Sequence, residues 1–382
     1  MKEREAAPPI HNRSLTIASA SPCLADNGKP LSSTAVGVWD PWVVCPECGG
    51  ALEPLSEGLG CLQCSKSWPM VDGIPHFVQE FPYWGEFSQE EVQTANRRAA
   101  QGTAWPDCLP AASDAATALK RDMILNLGRA NWHCLANLSP ATRVLDIGAG
   151  MGTNAHALAK RYRDVVAVEP VLERIEFMRH RFAQEQLSNV KLVRSSVWTL
   201  PFPPESFDLI VMNGVLEWVA QGRTEDPGLL QHMALERAYQ LLRPGGVLYV
   251  GIENRLLVGL LRGARDPHCG LPYVTILPRR LAHWYARTHG LPNGYRNYLY
   301  SSRGYRNLMR KAGFGRVKIY IALPIYNHPL FYIPLEGPIF HYYSRNFDSV
   351  RSGGLVEKAH WILAKMRLLK YFQGSYAIFA TK

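Results

Sequence analysis

The fold of this chain is decided by two neighbouring stretches, residues 144–154, which read VLDIGAGMGTN, and residues 165–170, which read VVAVEP. Each begins with an apolar run of strand length. The first run ends in glycines, which permit positive φ and let a ligand approach bare backbone. The helix expected next presents unpaired N–H groups at its start. The order strand, glycine turn, helix, strand predicts a βαβ unit with a nucleotide site at its carboxyl edge.

An acidic residue stands at the tip of the second strand. Glu169 follows the glycines by about twenty residues, where a carboxylate can accept hydrogen bonds from both hydroxyls of a ribose. Gly148, Gly150 and Gly152 form G-x-G-x-G preceded by Asp146, whereas a dinucleotide site has G-x-G-x-x-G. The pattern therefore argues against a pyrophosphate ligand.

This glycine motif resembles the first motif of the class I S-adenosylmethionine-dependent methyltransferases. The resemblance continues over about residues 140–322, through expected strands at 190–194 and 207–213 and through the run RPGG at 243–246 before a strand at 247–252. An ordinary βαβ unit without a ligand is the alternative. The resemblance implies an α/β fold with a Rossmann-like, seven-stranded methyltransferase sheet, helices on both faces, and S-adenosylmethionine as cofactor.

The resemblance also implies which residues bind the cofactor. Where the family usually carries an acid that contacts the adenine amino group, this chain has Ser196, so we expect adenine to be held by Ser196, the Val197 backbone and Trp198. The full set of expected cofactor-binding residues is Asp146, Gly148, Ala149, Gly150, Gly152, Asn154, Glu169, Pro170, Ser196, Val197, Trp198 and Asn213.

Four cysteines near the N-terminus have the spacing of metal ligands. Cys45-x-x-Cys48 is followed by Cys61-x-x-Cys64, and two such pairs can surround one Zn²⁺ with four thiolates. A four-thiolate site has no open coordination position, so we expect the zinc to be structural. Redox-active dithiols and zinc activation of a substrate thiol are the alternatives.

The segment 68–75, WPMVDGIP, resembles short zinc-ribbon modules that act as activator subunits of methyltransferases or are fused ahead of bacterial ones. The chain of 382 residues is accordingly divided into four parts. We expect a disordered leader over 1–40, a zinc ribbon over 41–80, a helical linker over 81–139, and a methyltransferase domain over 140–382 with lid insertions at 254–301 and 324–373.

Charge and hydropathy restrict the partners and the location of the protein. Lysine and arginine number 42 against 32 aspartates and glutamates, a net charge of +10, which favours anionic partners such as RNA, phosphorylated sugars or acidic lipid surfaces. No apolar run reaches the roughly 18 residues of a membrane span. The charged, proline-bearing N-terminus lacks the features of a secretory signal. We therefore predict a cytoplasmic protein without a transmembrane segment.

Candidate acceptor-site residues follow the fourth and fifth strands. Glu217 is a candidate catalytic residue, and Glu253 and Asn254 are expected to contact the substrate, because the ends of parallel strands face the bound cofactor. A helix-capping or surface role is the alternative for each carboxylate. His268, in the run DPHCG, is the expected general base, since imidazole titrates near neutral pH and Asp266 can fix its tautomer.

The predicted activity is O-methylation of a small molecule or saccharide. The ribbon, the core, GIENR at 251–255 and YLYS at 298–301 resemble uncharacterised bacterial methyltransferases of surface-polysaccharide or secondary-metabolite type. Residues 213–216, NGVL, lack the prolines that amino methyltransferases of nucleic-acid bases carry here, which favours an oxygen acceptor. An RNA base methyltransferase that binds RNA through its ribbon, and a cofactor-binding scaffold without catalysis, are the alternatives. No sequence feature specifies an oligomeric state.

Overall fold

Two β-sheets of different size organise the part of the chain that the structure, a computed structural model, describes. The described residues are 43–346 and 355–382. The leader expected over 1–40 therefore lies outside them. One sheet has four antiparallel strands and contains the cysteine pairs, and the other has eight strands and contains the glycine motif.

The small sheet carries the four cysteines, and we call it the ribbon. Both cysteine pairs lie in tight turns: the N–H of Gly49 donates to the carbonyl of Cys45 at 2.8 Å, and the N–H of Ser65 donates to that of Cys61 at 3.1 Å. Gly49 has φ +74°, so its lack of a Cβ removes strain from the first turn. The strands are β1 (Leu52–Leu55), β2 (Gly58–Cys61), β3 (Ser67–Val71) and β4 (Ile74–Pro75).

Helices occupy the segment between the ribbon and the main sheet. The first begins with a capping box, in which Ser88 Oγ accepts from the N–H of Glu91 at 3.3 Å and Glu91 Oε2 accepts from the N–H of Ser88 at 2.7 Å. These reciprocal bonds satisfy two N–H groups that a helix start leaves free. The elements are α1 (Gln89–Ala100), α2 (Trp105–Cys108), α3 (Ala115–Leu125) and a 3₁₀ helix (Leu127–Leu135).

The main sheet has a parallel half and an antiparallel half. Its strands in chain order are β5 (Arg143–Ile147), β6 (Asp164–Val168), β7 (Val190–Val193), β8 (Phe207–Asn213), β9 (Leu242–Ile252), β10 (Arg316–Ile325), β11 (His328–Pro334) and β12 (Ser375–Thr381). In space they run β11-β10-β12-β9-β8-β5-β6-β7. The five strands from β5 to β9 pair in parallel, whereas β10, β11 and β12 pair antiparallel. The five strands located from the sequence are β5 to β9, and β10 and β12 complete the seven that the resemblance implies.

Strand β11 is an eighth strand that the sequence analysis did not predict. It lies within the insertion 324–373, which was expected to form a lid, and it pairs with β10 across a short hairpin. Ile333 is buried while Leu330 and Phe331 are exposed, as expected for the outermost strand of a sheet. The seven-stranded expectation is therefore corrected to eight, and the first part of this insertion extends the sheet.

Helices cover both faces of the main sheet. They are α4 (Thr153–Ala159), α5 (Leu172–Gln184), α6 (Pro227–Leu241), α7 (Val258–Leu261), α8 (Arg279–Thr288), α9 (Ser302–Lys311), α10 (Ile339–Asn346) and α11 (Leu355–Lys365). One apolar core includes Leu158 of α4 and Ile175 of α5, and another includes Leu235 of α6 and Leu308 of α9. Within the two described ranges, no helix combines the length and the apolar character needed to cross a bilayer.

The ribbon is joined to the main sheet by backbone hydrogen bonds. The N–H of Arg194, just after β7, donates to the carbonyl of Pro75 at 3.0 Å, and the N–H of Phe77 donates to the carbonyl of Arg194 at 2.8 Å. Trp68 and Phe77 share an apolar cluster with Phe202 of the core. His76, just after β4, therefore forms an isolated bridge with Arg194, just after β7.

Candidate functional site

The glycine loop makes the turn between β5 and α4. Gly148, Gly150 and Gly152 have φ values of +68°, +60° and +83°, a region that L side chains rarely adopt. The N–H groups of Gly148 and Ala149 both donate to the carbonyl of the last residue of β6, at 2.8 and 3.0 Å. The loop is thereby held against the strand end that carries the predicted ribose-binding acid.

Glu169 lies across this loop, as the sequence predicts. Its Oε2 accepts from the N–H of Gly150 at 2.9 Å and its Oε1 accepts from the N–H of Val171 at 3.2 Å. Nη1 of Arg174 is 3.9 Å from Oε1, while Nη2 of Arg174 pairs with Glu86 at 2.6 Å. Burial raises the pKa of Glu169, against the opposing charge of Arg174. The sequence motifs indicated neither Arg174 nor Glu86.

Two buried polar atoms near the loop have no hydrogen-bond partner among the described residues. They are Oδ2 of Asp146, in β5, and Oδ1 of Asn154, in the first turn of α4. Both side chains are buried, and burial raises the pKa of Asp146 to about 7 although Arg129 opposes the shift. Buried polar atoms in native proteins are almost always bonded, so these two are candidates for contact with a ligand or with ordered water.

The predicted adenine-binding residues form a turn after β7. Ser196 Oγ accepts from the N–H of Trp198 at 3.2 Å, and Val197 between them is buried. The carbonyl of Pro170 accepts from Nε of Arg194 at 3.1 Å, which ties the residue after Glu169 to the start of this turn. The structure thus brings these expected cofactor residues to neighbouring strand ends.

Asn213, the last residue of β8, lies against a residue that the sequence analysis missed. With the Asn213 amide oxygen turned toward Arg129, it accepts from Nε at 3.1 Å and from Nη2 at 3.2 Å. Arg129 Nη2 also donates to Asn327 Oδ1 at 2.6 Å. Arg129 belongs to the 3₁₀ helix of the linker, outside every recognisable motif, so no spacing rule points to it.

A row of aromatic rings runs from Trp84 in the linker to His268. The ring centroids of Trp84 and Trp218 are 4.3 Å apart, and Trp218 meets the His268 ring edge-on at 5.1 Å. The guanidinium of Arg174 lies 5.1 Å from the centroid of the Trp84 ring. Trp84 therefore lies between Arg174, which is beside Glu169, and Trp218, which is beside His268.

Three of the four predicted acceptor-site residues converge into what we call the acidic cluster: Glu217, Glu253 and His268. Nε2 of His268 is 3.8 Å from Glu217 Oε1 and 3.6 Å from Glu253 Oε2, and Nδ1 is 3.2 Å from Asp266 Oδ1. The side chains of His268, Glu217 and Glu253 are 4%, 0% and 19% exposed. Asp266 therefore lies beside one ring nitrogen of His268, while two further carboxylates face the other.

The pKa values of the ionisable groups in this cluster depend strongly on one another. Burial raises the pKa of Glu253 to about 7, and the nearby charge of Glu217 adds to the shift. Burial alone would lower the pKa of His268, but the neighbouring carboxylates of Asp266, Glu217 and Glu253 raise it to about 11. Three carboxylates surround one imidazole, so the cluster has an excess of negative charge.

Asn254 does not join the cluster. Its Nδ2 donates to the carbonyl of Tyr371 at 2.9 Å and its Oδ1 accepts from the N–H of Leu256 at 2.9 Å. The residue is completely buried. Because both ends of its amide already bond to backbone, Asn254 holds the start of the first insertion, and the expectation that it contacts substrate is corrected.

The four ribbon cysteines point toward one another. Sγ of Cys45 is 3.6 Å from Sγ of Cys64, and Sγ of Cys48 is 3.4 Å from Sγ of Cys61. These separations exceed the roughly 2.05 Å of a disulfide. They resemble the edges of a tetrahedron of sulfurs around a zinc ion at about 2.3 Å. Gln63 donates its N–H to Cys61 Sγ at 3.4 Å, a contact that supports a thiolate.

Comparisons with known proteins show a similarity over part of the chain. Residues 145–250 match the family model described as methyltransferase domain. An uncharacterised methyltransferase of Bacillus subtilis is 41% identical over 69 residues, which are 18% of this chain and 27% of that protein. The mitochondrial ubiquinone biosynthesis O-methyltransferase of Rattus norvegicus is 27% identical over 124 residues, 32% of this chain and 33% of that protein. The chain thus matches a third or less of the length of these relatives.

The chain is also similar to a solved structure of a SAM-dependent methyltransferase from Thermotoga maritima. The alignment covers 76% of this chain and 99% of that chain, with 22% identity and a TM-score of 0.38. The segment matched by the family model contains the glycine loop, Glu169 and Asn213. Residues 145–250 are therefore an S-adenosylmethionine-dependent methyltransferase domain.

Proposed function

We propose that the protein methylates an oxygen atom of a small molecule or saccharide, with S-adenosylmethionine as methyl donor. The observation that carries this proposal is the closeness of the glycine loop to the turn before the acidic cluster. A Cβ on Gly148 would lie 2.7 Å from Cγ2 of Val215, two residues before Glu217. Gly214 also donates its N–H to the carbonyl of Gly251 at 2.9 Å, which joins the ends of β8 and β9.

The residues around the glycine loop suit the donor. Glu169 would bind the ribose hydroxyls, the glycine backbone would contact the methionine part, and the turn at Ser196–Trp198 would hold adenine. Arg129 would pair with the methionine carboxylate, because its guanidinium lies beside Asn213 at the end of β8. The unpartnered atom of Asp146 fits a nearby ammonium or hydroxyl group. S-adenosylmethionine supplies a methyl group on a positively charged sulfur.

The acidic cluster would serve the acceptor. As a hydroxyl oxygen bonds to the methyl carbon, the carbon–sulfur bond breaks and its electron pair stays on sulfur, so the hydroxyl proton must leave. Glu217 and His268 are the proposed catalytic pair, in which Glu217 would accept this proton because the raised pKa of His268 keeps its ring protonated. Glu253 would orient the hydroxyl because it is the most exposed of the three side chains. The rat relative is named for O-methylation, which agrees with an oxygen acceptor.

The ribbon cysteines would hold a structural Zn²⁺. Four thiols that face one point are the donor set that zinc prefers, and all four positions would be taken by protein. The ion would fold the ribbon and so hold it against β7, and it would take no part in methyl transfer. A resemblance to methyltransferase-activator ribbons supports the same role.

An RNA acceptor is the second candidate, and the ribbon's charge argues against it. Residues 43–78 contain one lysine, Lys66, against three glutamates and one aspartate, and Lys66 pairs with Glu47 at 3.1 Å. Surfaces that bind RNA are basic. The net charge of the whole chain, +10, must therefore lie mainly outside the ribbon.

The acceptor class can be tested directly. Purified protein would be incubated with methyl-labelled S-adenosylmethionine and an extract of the source cells, and label would be counted in the small-molecule, saccharide, lipid, protein and RNA fractions. We expect label in the small-molecule or saccharide fraction. Label confined to RNA would overturn the proposal, and absence of label with tight donor binding would favour a scaffold without catalysis.

The donor site has its own test. Glu169→Ala should weaken S-adenosylmethionine binding about 100-fold, because each charge-assisted hydrogen bond to a ribose hydroxyl is worth about 1.5–3 kcal/mol. Isothermal titration calorimetry would measure the affinity. Glu90→Ala, on the exposed face of α1, is the matched control and should bind normally. Equal affinities for the two variants would exclude Glu169 as the ribose ligand.

A further inference from the structure

We propose that Glu217, Glu253 and His268 bind a divalent metal cation at the carboxyl ends of β8 and β9. One donor atom from each of these side chains lies within 4.8 Å of the others. The site is separate from the ribbon cysteines and differs from them in donor chemistry. The use of the cation in methyl transfer rests on the proposed function, whereas its binding does not.

The distances within the acidic cluster suit a shared cation better than direct hydrogen bonds. His268 Nε2 is 3.8 Å from Glu217 Oε1 and 3.6 Å from Glu253 Oε2, and a hydrogen bond between such atoms is about 2.7–3.2 Å long. Atoms that each lie about 2.1 Å from one metal ion are roughly 3.0–4.2 Å apart. The two nitrogen–oxygen distances therefore fall in the range expected for ligands in one coordination shell.

The carboxylate oxygens that face the proposed ion lack other partners. Both oxygens of Glu217 and Oε2 of Glu253 are buried and accept no hydrogen bond from the described residues. The Glu217 side chain is 0% exposed, so water does not solvate it. A buried carboxylate without a partner is costly, and a divalent cation would satisfy these oxygens and offset the excess of negative charge.

The neighbours of His268 prepare its ring for metal binding. Asp266 Oδ1 lies 3.2 Å from Nδ1 and also accepts from the N–H of His268 at 2.8 Å. A cation bound here would displace the proton on Nε2, and the proton that remains on Nδ1 would face Asp266. Metal-binding histidines commonly donate their other ring N–H to a carboxylate in this way.

The donor set and the opening of the site indicate the ligand class. Two carboxylates and one imidazole suit divalent ions such as Mn²⁺, Fe²⁺ or Zn²⁺, and three protein ligands leave coordination positions free. Glu253, at 19% exposure, marks the accessible side. An acceptor with one or two oxygen donors could bind there, and its hydroxyl would lose a proton to water more readily when held by a cation.

Manganese is the best probe, because carboxylate donors suit Mn²⁺ and thiolates favour softer ions. Protein with its ribbon zinc intact would be titrated with Mn²⁺ while electron paramagnetic resonance measures the free ion. We expect one Mn²⁺ per chain. Glu217→Gln and His268→Ala should each weaken binding by about 10-fold or more, and Asp266→Asn should weaken it about 10-fold.

Matched controls separate this site from general surface binding. Glu225→Gln changes an exposed carboxylate that pairs with Arg223, and His232→Ala changes a ring that pairs with Glu236 on α6. Both should bind Mn²⁺ normally. Circular dichroism and zinc content would show that every variant is folded. The proposal is overturned if neither Mn²⁺ nor Co²⁺ binds, or if the cluster variants and the controls bind alike.

The same preparations distinguish this proposal from the proposed function. Stoichiometric Mn²⁺ binding without methyl transfer to any fraction would uphold the metal site and refute the activity. Methyl transfer that persists in protein shown to lack a second metal would uphold the activity and refute a role of the cation in methyl transfer.

Discussion

The ribbon and the acidic cluster assemble their ligand groups over very different distances along the chain. The ribbon takes four thiols from two turns of one small sheet, Cys45 to Cys64. The acidic cluster takes two carboxylates and an imidazole from separate segments after β8, β9 and α7. The ribbon therefore contains its whole site within one local unit, whereas the acidic cluster exists only when the main sheet has formed.

The largest effect on stability is expected when the cysteine site of the ribbon is removed. The double variant Cys45→Ser and Cys61→Ser should lose zinc and lower the melting temperature by about 10 °C or more, because a ribbon of this size depends on its metal. Zinc analysis and calorimetry would measure both. Cys134→Ser, which changes an exposed free thiol, is the control. Unchanged zinc content in the double variant would contradict a four-thiolate site.

A second substitution tests the acidic cluster through a residue that lies outside it and hydrogen-bonds to the backbone of Glu217. Asn297 donates from Nδ2 to the carbonyl of Glu217 at 3.1 Å and accepts from Gln221 Nε2 at 3.1 Å. Asn297→Ala should cost about 1–3 kcal/mol of stability, since it leaves buried groups unsatisfied, and should weaken Mn²⁺ binding while ribbon zinc is unchanged. Asn307→Ala, exposed on α9, should alter neither.

The smallest effect concerns the junction between the two regions. Burial, with the nearby charge of Arg194, lowers the pKa of His76 to about 4. The unfolded chain takes up this proton near pH 6.5, so the stability contributed by neutral His76 is present above pH 6.5 and is lost as the pH falls toward 4.

His76→Gln should therefore reduce the fall in melting temperature between pH 7.5 and pH 5.5 by about 3 °C. Thermal scans of both proteins at the two pH values would measure the difference, with His283→Gln as the control on α8. If the melting temperature of the variant falls as much as that of the unaltered protein, protonation of His76 does not affect the stability of the junction.

The ribbon and the parallel strands were predictable because their signals are local. Cysteine spacing indicates a ribbon by itself, and apolar runs that end in glycine or an acid indicate buried parallel strands. The positions of Asp146 and Glu169 follow from the same runs. Glu217, Glu253 and His268 could be chosen singly from strand ends, but their convergence depends on strand order and on the path of the first insertion.

Other features have no local signal. Arg129 reaches Asn213 from a linker 3₁₀ helix, and only the packing of that helix on the sheet brings them together. Strand β11 is short and has a proline at its second residue, so its sequence does not stand out from a loop. Asn254 stands at a strand end like the acceptor residues, yet its amide bonds to backbone.

The backbone contact between Pro75, Phe77 and Arg194 also has a consequence for protein production. It occupies hydrogen-bonding groups just beyond β7, the outermost parallel strand, and covers apolar surface beside them. A truncated protein that starts at residue 140 would expose this border, and exposed sheet borders recruit strands from other molecules. Such a fragment should therefore aggregate, and a zinc-depleted ribbon should promote the same self-association in the longer chain.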